Sequence, residues 1–251
     1  MWRILRVSEA FLTFTKADLS EDFPLALLME DDVLRPALAI SDIASGAPDQ
    51  RQRWLPLRAL AIRCMALHAS LSAASAAAHC RFFSSVLRRC VPELLAGSAE
   101  PQAAEAAEAI VFHCFAFLVD AQLAFSQDSE VWEPVAGLLA GGRRLSSGLR
   151  QALALRCCTL LLFKGAEASE SSAARWACAW LLLQAFAQVE SPEGSQAVEA
   201  AVFSSRLLRF FASLRSVSSH HLQVLAAASE GFFSCGLWRL GQLCPLAGEP
   251  S

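Results

Sequence analysis

Four side chains in the first third of the chain carry the donor chemistry of a metal site. Cys64 and His68 are four residues apart, and so share one face of a helix, with His79 and Cys80 close by in sequence. Closed zinc sites are usually built from two tight ligand pairs of standard spacing, and the nine cysteines here contain no C-x-x-C pair. The simpler reading is core packing, with cysteine acting as a small buried hydrophobe, so no metal and no cofactor is expected. His220-His221, near a helix start, reads as a solvated, capping or pH-sensitive pair rather than a catalytic base, and no nucleophile-elbow sequence accompanies the many serines. Gly141-Gly142-Arg143-Arg144 has glycines that could let backbone N–H groups approach a phosphate. It lacks a preceding strand and a G-K-[S/T] sequence, so it reads as a turn between helices. No catalytic residue emerges, and the expectation is a protein that is not an enzyme and has no small-molecule substrate.

The arginines offer the other chemistry. Those at 51, 53, 58 and 63, then 81, 88 and 89, then 143, 144 and 150 recur at related positions along the chain. On stacked repeats such a row would give a positive edge able to follow a phosphate backbone without reading bases. Arg58, Arg63, Arg88, Arg89, Arg143, Arg144 and Arg150 are therefore the candidate DNA- or partner-binding residues. The competing reading is an ordinary solvated face paired with Glu105, Glu108 or Glu130. The net charge of −3 supplies no global attraction to nucleic acid. The acidic group Asp18, Glu21, Asp22, Glu30, Asp31 and Asp32 reads as loop-solubilising and helix-capping.

These residues sit on elements that the composition makes helical. Apolar residues form 55% of the chain, charged residues 18%, and tyrosine is absent, while alanine, leucine and serine dominate; good helix formers outnumber sheet formers. A mean hydropathy of +0.39 raises the question of a membrane. The longest run without Asp, Glu, Lys or Arg, Cys64 to Cys80, is broken by histidines and serines, so no membrane span is expected. The N-terminus carries Arg3, Arg6 and Glu9 before any apolar run, which is not the pattern of a secretory signal and implies an intracellular protein with reduced thiols.

A weak internal repeat organises the helices. Ala61-Ile-Arg-Cys-Met-Ala-Leu67, Val111-Phe-His-Cys-Phe-Ala-Phe117 and Ala154-Leu-Arg-Cys-Cys-Thr-Leu160 share one pattern around Cys64, Cys114 and Cys157. Their spacing brackets the roughly 40–47-residue period of HEAT and armadillo units. Partner helices are predicted near 75–95, 129–140 and 171–189, with a helix at 3–16, one at 31–43 kinked by Pro36, a polar loop at 45–53, and helices at 196–214 and 219–240. Pro56 and Pro101 are placed in first turns, with Ser98, Ser146 or Ser147 as caps. In the helix 57–71, Leu60, Cys64, Leu67 and Leu71 form one apolar stripe with Arg58 and Arg63 off it. Each stripe needs a neighbour, so the expected fold is all-α: a HEAT/armadillo-like superhelical stack of about five antiparallel helix pairs in one domain, with 1–30 as an N-terminal cap, 31–245 as repeats and 246–251 frayed.

The order of segments resembles the C-terminal HEAT-repeat region of condensin complex subunit 3, one of the non-SMC components of condensin. The likeness is carried by Leu34-Arg-Pro-Ala-Leu38, by the helix Leu57-Arg-Ala-Leu-Ala-Ile-Arg-Cys-Met-Ala-Leu67 with its following turn and partner helix, and by Val135-Ala-Gly-Leu-Leu139. It continues through Leu149-Arg-Gln-Ala-Leu-Ala-Leu-Arg-Cys157, Leu160-Leu-Leu-Phe-Lys-Gly165, Ser205-Arg-Leu-Leu-Arg-Phe-Phe211 and His221-Leu-Gln-Val-Leu225. The chain departs from the family in lacking its long N-terminal array and in its alanine- and serine-rich loops. The resemblance implies a chromosome-associated scaffold of nucleus and cytoplasm that binds a kleisin subunit within an SMC complex, helps hold DNA in mitotic chromosome condensation, and leaves ATP hydrolysis to its partners. The alternative is an α-helical structural subunit of another large assembly, such as an organellar ribosome or a respiratory complex.

Overall fold

Serine hydroxyls begin three of the helices. In a computed structural model of the chain, Ser72, Ser146 and Ser171 each accept a hydrogen bond through Oγ from the backbone N–H three residues on, at 3.1, 3.2 and 3.2 Å. Each thereby satisfies one of the N–H groups that a helix start leaves without an internal partner. The structure describes residues 1–14, 29–43, 48–96, 101–125, 132, 138, 145–165, 170–186 and 195–230. Among these the regular structure is helical, with no strand.

Helix α1 spans Trp2–Phe14; a π-helical turn, Glu30–Leu34, runs directly into α2, Arg35–Ile43; then come α3, Pro48–Ala69, α4, Ala73–Ala96, and α5, Pro101–Phe125. They are followed by α6, Ser147–Phe163, α7, Ser172–Phe186, α8, Ser195–Leu214, and α9 over 219–230. The expected helices at 3–16, 75–95, 171–189 and 196–214 are present over their described residues, with starts within about two residues of expectation. Most of the segment 129–140, all of 231–251, and Ser98, Arg143 and Arg144 lie outside the described residues.

Two prolines correct the expected boundaries. The polar loop at 45–53 gives way to helix at Pro48, so Pro48 occupies the first turn and Pro56 lies inside α3. Proline at the first position loses nothing because that N–H would have no partner, whereas Pro56 deprives the Gln52 carbonyl of its helical hydrogen bond. Pro36 comes in the first turn of α2, directly after the π-helical turn. The widened i→i+5 turn thus immediately precedes the proline at which a kink is expected.

The chain falls into two compact units, Met1–Leu153 and Ala154–Ser251, with the division inside α6. In the first, α5 packs along both α3 and α4, α1 and α2 pack on α3, and α3 and α4 touch each other little. The Phe83 ring of α4 lies 4.2 Å from the Phe117 ring of α5, both buried. Helix α3 departs from the single stripe: Leu60 and Cys64 are buried, but so are Ala61, Ile62, Met65, His68 and Ala69, while Leu67 and Leu71 are only half-buried. A helix with neighbours on several sides buries more than one face, and its sequence reads correspondingly less amphipathic. In the second unit α7 packs against α8, with Cys157, Leu160, Ala177, Cys178, Leu181, Leu207 and Leu214 in the core.

One helix among the described residues, Pro101–Phe125, is long and apolar enough to cross a membrane by length and composition. Some 56% of its most apolar window is buried, as in the central helix of a folded core.

Candidate functional site

The candidate arginines have different surroundings. Arg63 is exposed on α3 and its Nη1 donates to Glu9 Oε1 of α1 at 3.0 Å, while Arg6 donates to the other oxygen of the same carboxylate at 2.9 Å. Arg58, half-buried on α3, lies close enough to Cys114 of α5 to influence its thiol. Arg88 and Arg89 are exposed on α4, and Arg150 is half-buried on α6 with its Nε out of solvent. Arg63 is thus engaged with a carboxylate, that of Glu9, which is not one of the expected partners Glu105, Glu108 and Glu130.

His113 of α5 lies against this ion-paired junction. Burial, with the Arg63 charge adding to it and Glu9 opposing, pushes its pKa down to about 4. An imidazole there is neutral at pH 7, so the junction holds two guanidiniums against one carboxylate. The Arg6 guanidinium also lies 5.2 Å from the centre of the Trp2 ring, within cation–π range.

The four supposed metal donors are dispersed. Cys64 turns to α1, its Sγ donating to the Leu5 carbonyl at 3.4 Å, and burial pushes its thiol up to about 12. Cys80 is half-buried and its thiol is likewise raised by burial. Among the described residues no group of three His, Cys, Asp or Glu side chains is arranged to hold a metal ion.

His68 and His79 converge instead on Glu30, which the sequence places with the loop-solubilising acids. That expectation is corrected: Glu30 is only 8% exposed. Its Oε1 accepts from Arg35 Nη2 at 2.7 Å and Nε at 3.1 Å and lies 3.1 Å from His79 Nε2, and its Oε2 is 3.6 Å from His68 Nδ1. Burial alone would raise this carboxyl. The Arg35 hydrogen bond and the charges of His79, His68 and Arg35 outweigh it and hold the carboxyl below its ordinary value. His79 Nδ1 in turn lies 2.8 Å from the Ser75 carbonyl, so both ring nitrogens face acceptors. The cluster ties the π-helical turn to α3 and α4. It binds the fold together through Oε1, which Arg35 and His79 share, while Oε2 faces His68 Nδ1 at a distance longer than a hydrogen bond.

In the second unit His220 is exposed, as expected of the pair, but His221 is buried. Its Nε2–H donates to the Leu162 carbonyl at 3.0 Å, which leaves Nδ1 to accept from the Ser218 hydroxyl at 2.7 Å. The ring lies where a side chain at Gly165 would begin, so only glycine fits there without displacing it. Cys157, Cys158 and Cys178 lie near one another, all buried, and burial raises each thiol, making them poor nucleophiles and poor metal ligands as they stand.

Comparison with protein-family models, with curated proteins and with solved structures finds no match to this chain. The site is therefore read from its own geometry. Sequence reasoning misses the Glu30 cluster because His68 and His79 stand 38 and 49 positions beyond the carboxylate they meet. Arg35 gives no clear signal either, because Asp31 stands at the ordinary i,i+4 spacing from it and pairs with it at 3.3 Å, whereas Glu30 stands at a spacing that a regular helix does not bring together.

Proposed function

We propose that this chain is a non-catalytic helical scaffold, a HEAT-type stack of helix pairs that works by holding other macromolecules. The observation that carries it is that helices have neighbours on more than one side: α5 packs along both α3 and α4, and α3 also packs against α1 and α2. Stacked helices bury their faces in this way; the consecutive helices α3 and α4 touch each other little, so the expected pairing of 57–71 with 75–95 is replaced by the pairing of each with α5. Full burial of Cys64, Cys114 and Cys157, the landmarks of the internal repeat, supports the same reading.

In its specific form the reading is a condensin-type subunit contacting a kleisin chain and DNA, on the resemblance given above. A second form, a structural subunit of another large assembly, is favoured by one observation. Large apolar side chains are exposed on several helices: Trp2, Ile4 and Val7 on α1, Leu155 and Phe163 on α6, and Val198, Val202 and Leu208 on α8. Affinity purification of the full chain with identification of co-eluting proteins separates the two. SMC and kleisin proteins at stable stoichiometry support the first; ribosomal or respiratory subunits support the second and end the first.

A further inference from the structure

Helix α8 has two faces of different chemistry. Ser204, Leu207, Phe211 and Leu214, at spacings of three and four, are buried. The opposite face presents Val198, 65% exposed, Val202, Arg206 and Arg209, with Leu208 exposed beside them. Beyond the helix the exposed series continues through Arg215, Val217 and Leu222.

From Val202 onward the charge on this face is one-sided. Glu199 follows Val198 in sequence at its start, and no further Asp or Glu occurs between positions 200 and 229, although the whole chain is net negative. Arg206, Arg209 and Arg215 form no ion pair among the described residues. Like charges three apart on a helix repel, and an ordinary solvated face intersperses acids at i±3 or i±4. The repulsion is small, and carboxylates from a partner would relieve it.

We propose that the outward face of α8, with the turn after it, docks an acidic amphipathic helix of another protein, a proposal that rests on the scaffold reading. Aliphatic residues at i and i+4, Val198 and Val202, offer the shallow ridge on which a partner's apolar stripe packs, and the three arginines take the partner's flanking Asp and Glu side chains. Other occupants fit less well. A phosphate backbone has no use for the valines and leucines. A lipid surface favours helices that turn their large aromatics and leucines outward, whereas here Phe211 is buried and Phe203 and Phe210 are partly covered. A second copy would oppose arginine to arginine.

The test uses the full chain and a labelled synthetic helix about five turns long (~18 residues) with leucines along one stripe and glutamates flanking them. Its all-glutamine counterpart, a DNA duplex and vesicles containing phosphatidylserine are the competitors. The acidic peptide is expected to bind at least about tenfold more tightly than the glutamine peptide, with that preference lost in the triple variant R206Q/R209Q/R215Q. V198S/V202S, which alters only exposed positions, is expected to weaken both peptides while leaving the helical circular-dichroism spectrum unchanged. Absence of acidic-peptide binding, binding indifferent to all five substitutions, or stronger binding of duplex or vesicles through the same arginines would overturn the proposal. If it fails while the unaltered chain still co-purifies with partner proteins at stable stoichiometry, only this face is removed and the scaffold reading stands; loss of both removes both.

Discussion

Acidification from pH 7 to pH 5 should destabilise the first unit through one residue, His113. In the folded chain burial pushes its pKa down to about 4, against 6.5 for a free imidazole. Below pH 6.5 the unfolded chain takes up a proton that the folded chain refuses. Stability from this group is therefore complete above pH 6.5, falls as pH drops, and is exhausted near pH 4. Linkage puts the loss at about 2 kcal/mol by pH 5 and about 3 kcal/mol in full. The variant His113→Gln keeps a neutral polar side chain of similar length and cannot titrate. Urea unfolding of both proteins at pH 7 and pH 5, followed by circular dichroism, isolates the effect, because the remaining histidines are common to both. The native chain should lose about 2 kcal/mol more than the variant on acidification. Equal losses in the two would show that His113 protonates freely in the fold and would refute its burial against the Arg63 junction.

Glu30→Gln should cost about 2 kcal/mol at pH 7, measured by the same unfolding experiment, because it removes the charge that Arg35, His79 and His68 surround. The Glu30 carboxyl is held below its ordinary value of 4.5, so its contribution is present above that pH and is lost as pH falls through the folded value. The variant's disadvantage should accordingly shrink in acid. Gly165→Ala should lower the melting temperature of the chain by forcing the His221 ring aside, at about 1–3 kcal/mol. Combining it with His221→Ala should give less than the sum of the two single effects. Ser146→Ala should cost about 1 kcal/mol by uncapping α6 and releasing its bond to Glu108, and Ser146→Thr should recover most of it, both read from thermal unfolding.

Local signals are the legible ones. Helix-forming composition and its punctuation place α1, α4, α7 and α8 within a few residues, and Pro101 and Ser146 mark the starts of α5 and α6, because capping and periodicity act over a turn or two of chain. Pro56 misleads because a proline reads most simply as a helix start, and here Pro48 already fills that role. The buried chemistry is not legible. Glu30 looks like one acid among several, and only the π-helical turn, set beside the turn that joins α3 to α4, brings it to two histidines. His221 and His220 are adjacent and identical in type, yet one is buried and one exposed because the start of α9 faces the Leu162 carbonyl and the space left by Gly165.

The native mass of the chain in gently prepared cell extract tests the scaffold proposal most directly. A protein whose work is docking should elute in a complex of defined stoichiometry, far above the mass of its own chain. Elution of the whole pool as a free monomer, under conditions in which known assemblies stay intact, would contradict it.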